Sequence, residues 1–144
     1  MMKAHILLLL TTLLVVSCNV DPQPFEFGTD GCDYCKMTIV DRQHASQLVT
    51  NKGKVYKFDA IECMIHHMEV NKEIEYAHTV VADFTAPGTL IDAKKAIYLI
   101  SPEISSPMGA FLSAFANEQA AQKTKRESGG NLYYWNDLLI HLRK

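Results

Sequence analysis

The chain lacks an excess of charge of either sign. Its 144 residues carry 14 basic and 16 acidic side chains, a net charge of −2, and neither sign is gathered into a long run. A nucleic-acid-binding protein needs a basic patch that neutralises phosphates, so this class is not indicated. The sequence also lacks the recognisable Ser-His-Asp, paired-carboxylate and phosphate-binding glycine motifs of common enzymes. We therefore predict a protein that is not an enzyme and binds no nucleic acid.

The sequence also lacks an apolar run long enough to span a bilayer. The longest, residues 6–16, is interrupted by Thr11 and Thr12 and follows Lys3, whereas a spanning helix needs about 20 apolar residues. A short run after a positive charge is typical of a secretion leader. Small Ser17 directly before Cys18 resembles the lipobox of bacterial lipoproteins. We predict that residues 1–17 are a signal peptide and that Cys18 is lipidated and holds the chain on a membrane. The alternative is an ordinary cleaved signal with a free Cys18.

Cysteine is scarce, and the number that remains is odd. If Cys18 carries the lipid, Cys32, Cys35 and Cys63 are left in a compartment outside the cytoplasm. An odd number of thiols cannot close into disulfide pairs within one chain. At least one of the three therefore needs another role.

The first part of the chain predicts a tether followed by a strand-strand-helix-strand unit. Residues 18–30 contain two prolines and little periodicity, which favours a tether before a domain that spans residues 31–144. Two strands, residues 46–50 and 54–58, flank a turn with Gly53. Asp59 and Glu62 form a capping-box pattern that predicts a helix over residues 59–71. A strand over residues 76–84 and a loop over residues 85–88 follow.

The second part of the chain repeats this order. Apolar runs predict strands at residues 96–101 and 110–115, Asn117 caps a helix over residues 118–127, and Gly129 and Gly130 end it. A strand over residues 131–134 and a short C-terminal helix over residues 135–142 complete the chain. The predicted fold is α+β, with two small ββαβ-like halves, about residues 31–90 and 91–144, and antiparallel sheets.

The segment that runs from Cys32 to Met37 carries the most chemical information. Cys32 and Cys35 are three positions apart, so they could clamp one soft metal ion, close a local disulfide or act in redox catalysis. Met37 adds a thioether, a ligand that zinc and iron-sulfur sites rarely use, and therefore favours copper(I). A thioredoxin-type CxxC lies between a strand and a helix, and here no such pattern surrounds it.

Two further segments carry soft side chains. Cys63 and His67 lie one turn apart on the predicted first helix, beside Met64 and Met68, which also continue its apolar stripe. His66 and His67 are interpreted as solvated or capping residues. Met108 lies in a Pro-Gly turn without apolar periodicity, where packing and metal ligation are equally compatible with the sequence.

Taken together, these motifs resemble the NosL family of copper lipoproteins across essentially the whole mature chain. The motifs that carry the resemblance are Cys32-x-Tyr34-Cys35-x-Met37, Phe58-Asp59-x-Ile61-x-Cys63-Met64, Ser106-Pro107-Met108-Gly109 with Phe115, and Gly129-Gly130. The resemblance implies a periplasm-facing chaperone, lipid-anchored to the cell membrane or the outer membrane, that supplies copper(I) to nitrous-oxide reductase or its assembly machinery. It also implies a copper site formed by Cys32, Cys35, Met37, Met108 and Cys63, while the roles of Met64, His66 and His67 stay open.

Two other functions remain compatible with the sequence. A structural zinc site could use Cys32, Cys35, Cys63 and His67. This site would leave Met37 and Met108 without a role. A membrane-tethered thiol oxidoreductase could cycle Cys32 and Cys35 and leave Cys63 as a bystander.

Overall fold

The computed structural model describes residues 19–143, so the predicted signal peptide and Cys18 lie outside the described residues. Seven strands and three helices follow one another in this part of the chain. In chain order they are β1 (Ser46–Thr50), β2 (Val55–Phe58), α1 (Ile61–Val70), β3 (Tyr76–Asp83), β4 (Ala86–Asp92), β5 (Ile97–Ile100), β6 (Leu112–Phe115), α2 (Glu118–Ser128), β7 (Asn131–Tyr133) and α3 (Trp135–Leu142). Within residues 19–143, no helix is both long and apolar enough to cross a membrane.

The strands form two antiparallel sheets with the same internal order. The first sheet runs β2-β1-β3-β4 and the second β6-β5-β7. In each unit the first strand is central, the second pairs on one side, and the strand after the helix pairs on the other. The predicted α+β fold with two ββαβ-like units and a C-terminal helix is therefore confirmed. The prediction lacked β4, which extends the first sheet.

A shared core joins the two units. Phe58, Ile61 and Met64 of the first unit belong to the same buried cluster as Tyr98 and Leu112 of the second. From α3, Trp135 and Leu138 enter this cluster, with Leu139 and Leu142 partly buried against it. The C-terminal helix therefore packs on the core through its apolar face, as its spacing predicts.

The helix starts match the sequence in one case and differ in the other. At α2, Asn117 Oδ1 accepts a hydrogen bond from the Ala120 amide at 2.9 Å, as predicted. At α1 the capping-box prediction is wrong, because the N-cap is Ala60 and no side chain caps the helix. Asp59 and Glu62 make other contacts, which are described with the metal centre.

The predicted loop at residues 85–88 is also wrong, because β4 begins at Ala86. Pro87 and Gly88 are typical loop residues, but β4 is the edge strand of its sheet, where a residue without an amide proton is tolerated. The pairing between β3 and β4 is irregular between Ala82 and Asp83. This irregularity accommodates the departure from a regular strand.

Residues 19–30, which we call the N-terminal strap, lie against the first sheet instead of forming the predicted free tether. The backbone amide of Gln23 donates to Gln47 Oε1 at 2.7 Å, and Gln47 Nε2 donates to the Gln23 carbonyl at 2.8 Å. Lys57 Nζ donates to the Pro24 carbonyl and to Asp30 Oδ2, both at 2.7 Å. Composition alone predicts a tether here because these partners lie more than twenty residues away in sequence.

Candidate metal centre

Three thiols and one carboxylate meet at the end of β2. One ligand atom each from Cys32, Cys35, Asp59 and Cys63 lies within 4.8 Å of all the others. All three cysteines are free thiols. Cys32 and Cys63 are each 1% exposed, whereas Cys35 is only partly buried. The structure thus brings together three of the predicted ligands and adds Asp59, which the sequence analysis had assigned to helix capping.

A tight loop presents Cys32 and Cys35 to this cluster. An antiparallel bridge between Gly31 and Thr38 closes the loop. Inside it, the Cys32 amide donates to the Met37 carbonyl at 2.8 Å. The CxxC segment is therefore a hydrogen-bonded loop.

Strained backbone marks both loops that carry predicted ligands. Lys36, between Cys35 and Met37, has a φ of 67°, and Phe111, after Met108, has a φ of 57°. Residues other than glycine rarely adopt the left-handed region, and such strain concentrates at functional sites. The two loops are held in these conformations by the hydrogen bonds around them.

The start of α1 supplies the other half of the cluster. Asp59 precedes the N-cap Ala60, and its Oδ1 accepts a hydrogen bond from the Cys35 thiol at 3.4 Å. Cys63 lies in the first turn of the helix. Neither of the two residues that resemble a capping box caps the helix. Asp59 contacts the Cys35 thiol, and Glu62 contacts the loop that carries Met108.

One thiol of the cluster, that of Cys32, loses its proton more readily than an ordinary cysteine. The pKa of Cys32 is lowered from its ordinary value, mainly because the Cys63 thiol donates a hydrogen bond to it. Burial opposes this shift, and the backbone amides of Asp59, Cys35 and Tyr34 reinforce it. This arrangement favours a thiolate at Cys32 near neutral pH.

The other two thiols hold their protons. The pKa of Cys63 is raised strongly, first because its proton bonds Cys32 and then because it is buried. Burial also raises the pKa of Cys35, against the hydrogen bond from the Met37 amide. Several acidic groups packed this closely cannot all be charged without a cation. A soft metal ion would displace these protons and neutralise the cluster.

The predicted thioethers lie in surface loops. Met37 is 53% exposed and Met108 is 44% exposed. The loop that carries Met108 is fixed to α1, because Glu62 Oε1 accepts hydrogen bonds from Ser106 Oγ at 3.1 Å and from the Ala110 amide at 3.3 Å. Glu62 directly precedes Cys63, so the Met108 loop is fixed to the helical turn that carries one of the clustered thiols.

The two neighbouring histidines of α1 differ from each other, and only His66 is exposed as predicted. His66 is exposed and stacks on Tyr34, with ring centroids 5.6 Å apart. His67 is buried, with its ring 4.5 Å from that of Tyr56 and 5.2 Å from that of Phe58. The interpretation of His67 as solvated or capping is wrong. It does not join the four-residue cluster found among residues 19–143, so the zinc set that includes it is not assembled.

An Asp-His-Ser arrangement that spacing does not reveal links the two units. His44 Nδ1 lies 2.9 Å from Asp41 Oδ2, and His44 Nε2 lies 3.1 Å from Ser113 Oγ. These are the side chains of a nucleophilic triad. Ser113 is fully buried in β6, however, and His44 is 2% exposed. No substrate reaches this serine in the folded structure, and the arrangement serves to join the units.

Comparisons with known proteins agree on one family. The sequence model of the NosL family matches residues 25–142. The copper-binding lipoprotein NosL of Stutzerimonas stutzeri is 28% identical over an alignment of 131 residues, which covers 85% of this chain and 68% of that protein. The fold is similar to the crystal structure of the copper chaperone NosL from Shewanella denitrificans, with a TM-score of 0.70 and 20% identity over 83% of this chain and 96% of that one.

Proposed function

The chain belongs to the NosL family, and from this premise we propose that it carries copper(I) and delivers it to a copper enzyme. The observation that supports the proposal most directly is the meeting of Cys32, Cys35 and Cys63 as free thiols at one place. Relatives named as a copper-binding lipoprotein and a copper chaperone support the same function.

Copper(I) suits this donor set better than hard metal ions do. It is a soft ion that prefers thiolate and thioether sulfur. Cys32 offers a thiolate before the metal arrives, and Cys35, the most exposed of the three cysteines, offers the route of entry. The ion would displace the protons of Cys35 and Cys63 as it binds.

The exposed thioethers would serve the transfer of the ion. Met37 and Met108 are held on the surface by hydrogen-bonded loops beside the thiols. A neutral thioether binds copper(I) without carrying a proton or a charge, so an acceptor can displace it more easily than a thiolate. A carrier needs such replaceable ligands, because an ion enclosed by thiolates alone would be released slowly.

The proposed acceptor is nitrous-oxide reductase or a related copper enzyme, and the proposed location is the periplasmic face of a membrane. The acceptor follows from the family resemblance, and the membrane attachment from the lipobox at Cys18. The relative named as a lipoprotein supports the attachment. Substitution Cys18→Ala is expected to release the protein from membranes, and mass spectrometry that finds mature protein with an unmodified Cys18 would refute the anchor.

Anaerobic titration of the chain from Asn19 onward tests copper binding. In competition with a chromophoric copper(I) chelator, the wild-type chain is expected to bind one equivalent. The double substitution Cys32→Ala and Cys35→Ala should nearly abolish binding, whereas the exposed-surface control Ile140→Ala should not change it. Transfer of the bound copper to metal-free nitrous-oxide reductase then tests delivery. Equal affinity in the wild-type and the double variant would contradict the proposal.

Asp59 favours a second candidate, a zinc site. Three thiolates and one carboxylate form a donor set that tetrahedral zinc accepts, and Asp59 lies in the cluster. The two metals can be told apart by matched substitutions. Under the copper proposal, Met108→Ala weakens copper(I) binding, and Asp59→Asn leaves it nearly unchanged. In a zinc protein, Asp59→Asn weakens zinc binding, and Met108→Ala leaves zinc binding nearly unchanged.

Disulfide exchange is less well supported by the geometry. The attacking group in such a reaction must be an accessible thiolate. The thiol with the lowered pKa, Cys32, is 1% exposed, so a substrate disulfide cannot reach it in the folded chain. Insulin-reduction activity that disappears in Cys35→Ser would favour this function over copper delivery.

A further inference from the structure

The N-terminal strap fixes the point at which a lipid on Cys18 would leave the protein. The strap is held by the paired hydrogen bonds between Gln23 and Gln47 and by the two hydrogen bonds from Lys57 Nζ. Gln47 is fully buried. A chain held by these contacts has little freedom to swing away from the sheet.

The strap begins at the turn between β1 and β2. A Cβ atom added to Gly53 would lie 2.8 Å from the carbonyl oxygen of Asn19 and 3.9 Å from Val20 Cγ1. Gly53 also has a φ of 82°, a backbone conformation that glycine adopts more readily than other residues. Cys18 is bonded to Asn19, and consecutive Cα atoms are about 3.8 Å apart. The acyl chains would therefore emerge within one residue of this turn.

We propose that the turn at residues 51–54 rests against the bilayer that holds the Cys18 lipid. The inference rests on the proposed lipidation of Cys18 and extends it, because it defines which surface of the protein meets the membrane. A flexible tether of twelve residues would leave the orientation free. A docked strap removes that slack and holds the turn at the lipid surface.

The charges at this end favour attachment through the lipid itself. Lys52 and Lys54 are exposed, and so are Glu73 and Glu75 at the same end of the sheet. Asn51 ties the two segments together, since its amide donates to the Glu75 carbonyl at 3.3 Å. Two basic and two acidic side chains give no net attraction for anionic headgroups. Vesicles of neutral phosphatidylcholine should therefore produce the same orientation as anionic vesicles.

The orientation turns the metal centre away from the membrane. The turn lies at one end of β2, and Asp59 follows the other end. Four strand residues span about 13 Å. The thiol cluster would therefore face the aqueous compartment, where a soluble acceptor can reach it without contact with the lipid surface.

Lysine footprinting on vesicles tests the proposal. Full-length lipidated protein is reconstituted in phosphatidylcholine vesicles and acetylated with an amine-reactive reagent, with the soluble Cys18→Ala chain as reference. We expect labelling of Lys52 and Lys54 to slow several-fold on vesicles, and labelling of Lys36 at the metal end and Lys123 on α2 to stay unchanged. A second variant carries twelve Gly and Ser residues between Cys18 and Asn19, which add about 20 Å of reach. In this variant the protection should disappear while the protein still floats with the vesicles.

Each other outcome has a distinct meaning. If the lipidated protein floats and Lys52 and Lys54 react as fast as in the reference, the orientation is wrong and the anchor stands. Protection that persists with the linker would show that the turn is covered independently of the short connection to the lipid, and would overturn the proposal. If the protein does not float, the anchor fails and the orientation fails with it.

Discussion

At the scale of single residues, the two kinds of sulfur side chain that we propose as copper ligands occupy different settings. The thiols of Cys32 and Cys63 are buried and share a proton, whereas the thioethers of Met37 and Met108 are exposed. A lost thiolate removes a charge from the metal shell, and a lost thioether does not. The cysteines should therefore dominate affinity, and the methionines should tune it.

Met108→Ala is expected to weaken copper(I) binding modestly and to leave zinc affinity nearly unchanged, because zinc rarely uses thioether ligands. The variant should stay folded, with a loss of stability well below the roughly 2–5 kcal/mol of a buried Met→Ala change, since Met108 is 44% exposed. Chelator competition and urea unfolding measure the two effects, with Ile140→Ala as the exposed control. A large loss of unfolding free energy without a change in copper(I) affinity would show that Met108 is a packing residue.

His67 is expected to make the metal-free protein sensitive to acid. Burial lowers the pKa of His67 below its ordinary value of 6.5, so the unfolded chain takes up this proton more readily than the folded chain. The folded state therefore loses stability as the pH falls below 6.5. The substitution His67→Phe should remove the share of this loss that comes from protonation of His67. In urea unfolding from about pH 8 to pH 5, the unfolding free energy of the variant should rise relative to that of the wild-type chain as the pH falls. Parallel pH profiles would contradict the assignment.

At the scale of elements, the first turn of α1 organises the whole site. Asp59 faces the thiol cluster from just before the helix, Cys63 belongs to the cluster, and Glu62 holds the Met108 loop. One short segment thus contacts both the CxxC loop and the Met108 loop. Its side chains are occupied by the site, which explains why none of them caps the helix.

Glu62→Ala is expected to release the Met108 loop. The change leaves Ser106 Oγ and the Ala110 amide without their buried acceptor, at a cost of about 1–3 kcal/mol in unfolding free energy. Copper(I) affinity should fall about as far as in Met108→Ala, and the double variant should be little worse than Met108→Ala alone. Additive losses in copper affinity would show that Glu62 does not act through this loop.

The sequence predicted elements better than the contacts between them. Local signals, such as the turn at Gly53 and the cap at Asn117, identified β1, β2 and α2 nearly to their ends. The strap was missed because the contacts that order it come from distant residues, and β4 was missed because Pro87 and Gly88 are typical loop residues. The sequence analysis grouped the three thiols that the structure brings together, whereas Asp59 was hidden by its similarity to a helix cap.

At the scale of the whole molecule, the proposed copper site draws on both units. The clustered thiols belong to the first unit, Met108, a proposed ligand, belongs to the second, and the buried core is continuous across both. His44 and Ser113 form a further link, as does the hydrogen bond from the Phe84 amide to the Ala114 carbonyl at 2.8 Å. Copper binding should therefore raise the unfolding temperature of the entire domain in one transition.

Ser113→Ala is expected to weaken this link without changing copper binding. The substitution leaves His44 Nε2 buried without its partner, which should lower the unfolding free energy by about 1–3 kcal/mol. Ser105→Ala is the matched control, because Ser105 is exposed. Urea unfolding gives the stabilities, and chelator competition gives the copper affinities. A stable Ser113→Ala chain with reduced copper affinity would indicate a role at the site instead.

X-ray absorption at the copper edge, on the metal-free chain loaded with one equivalent of copper(I), tests the central claim that the thiol cluster is the copper site. Because Cys32, Cys35 and Cys63 lie within 4.8 Å of one another, the first shell should contain sulfur only, and it should lose sulfur in Cys63→Ser. A shell of nitrogen and oxygen ligands, or a sulfur shell that is unchanged by Cys63→Ser, would contradict the claim.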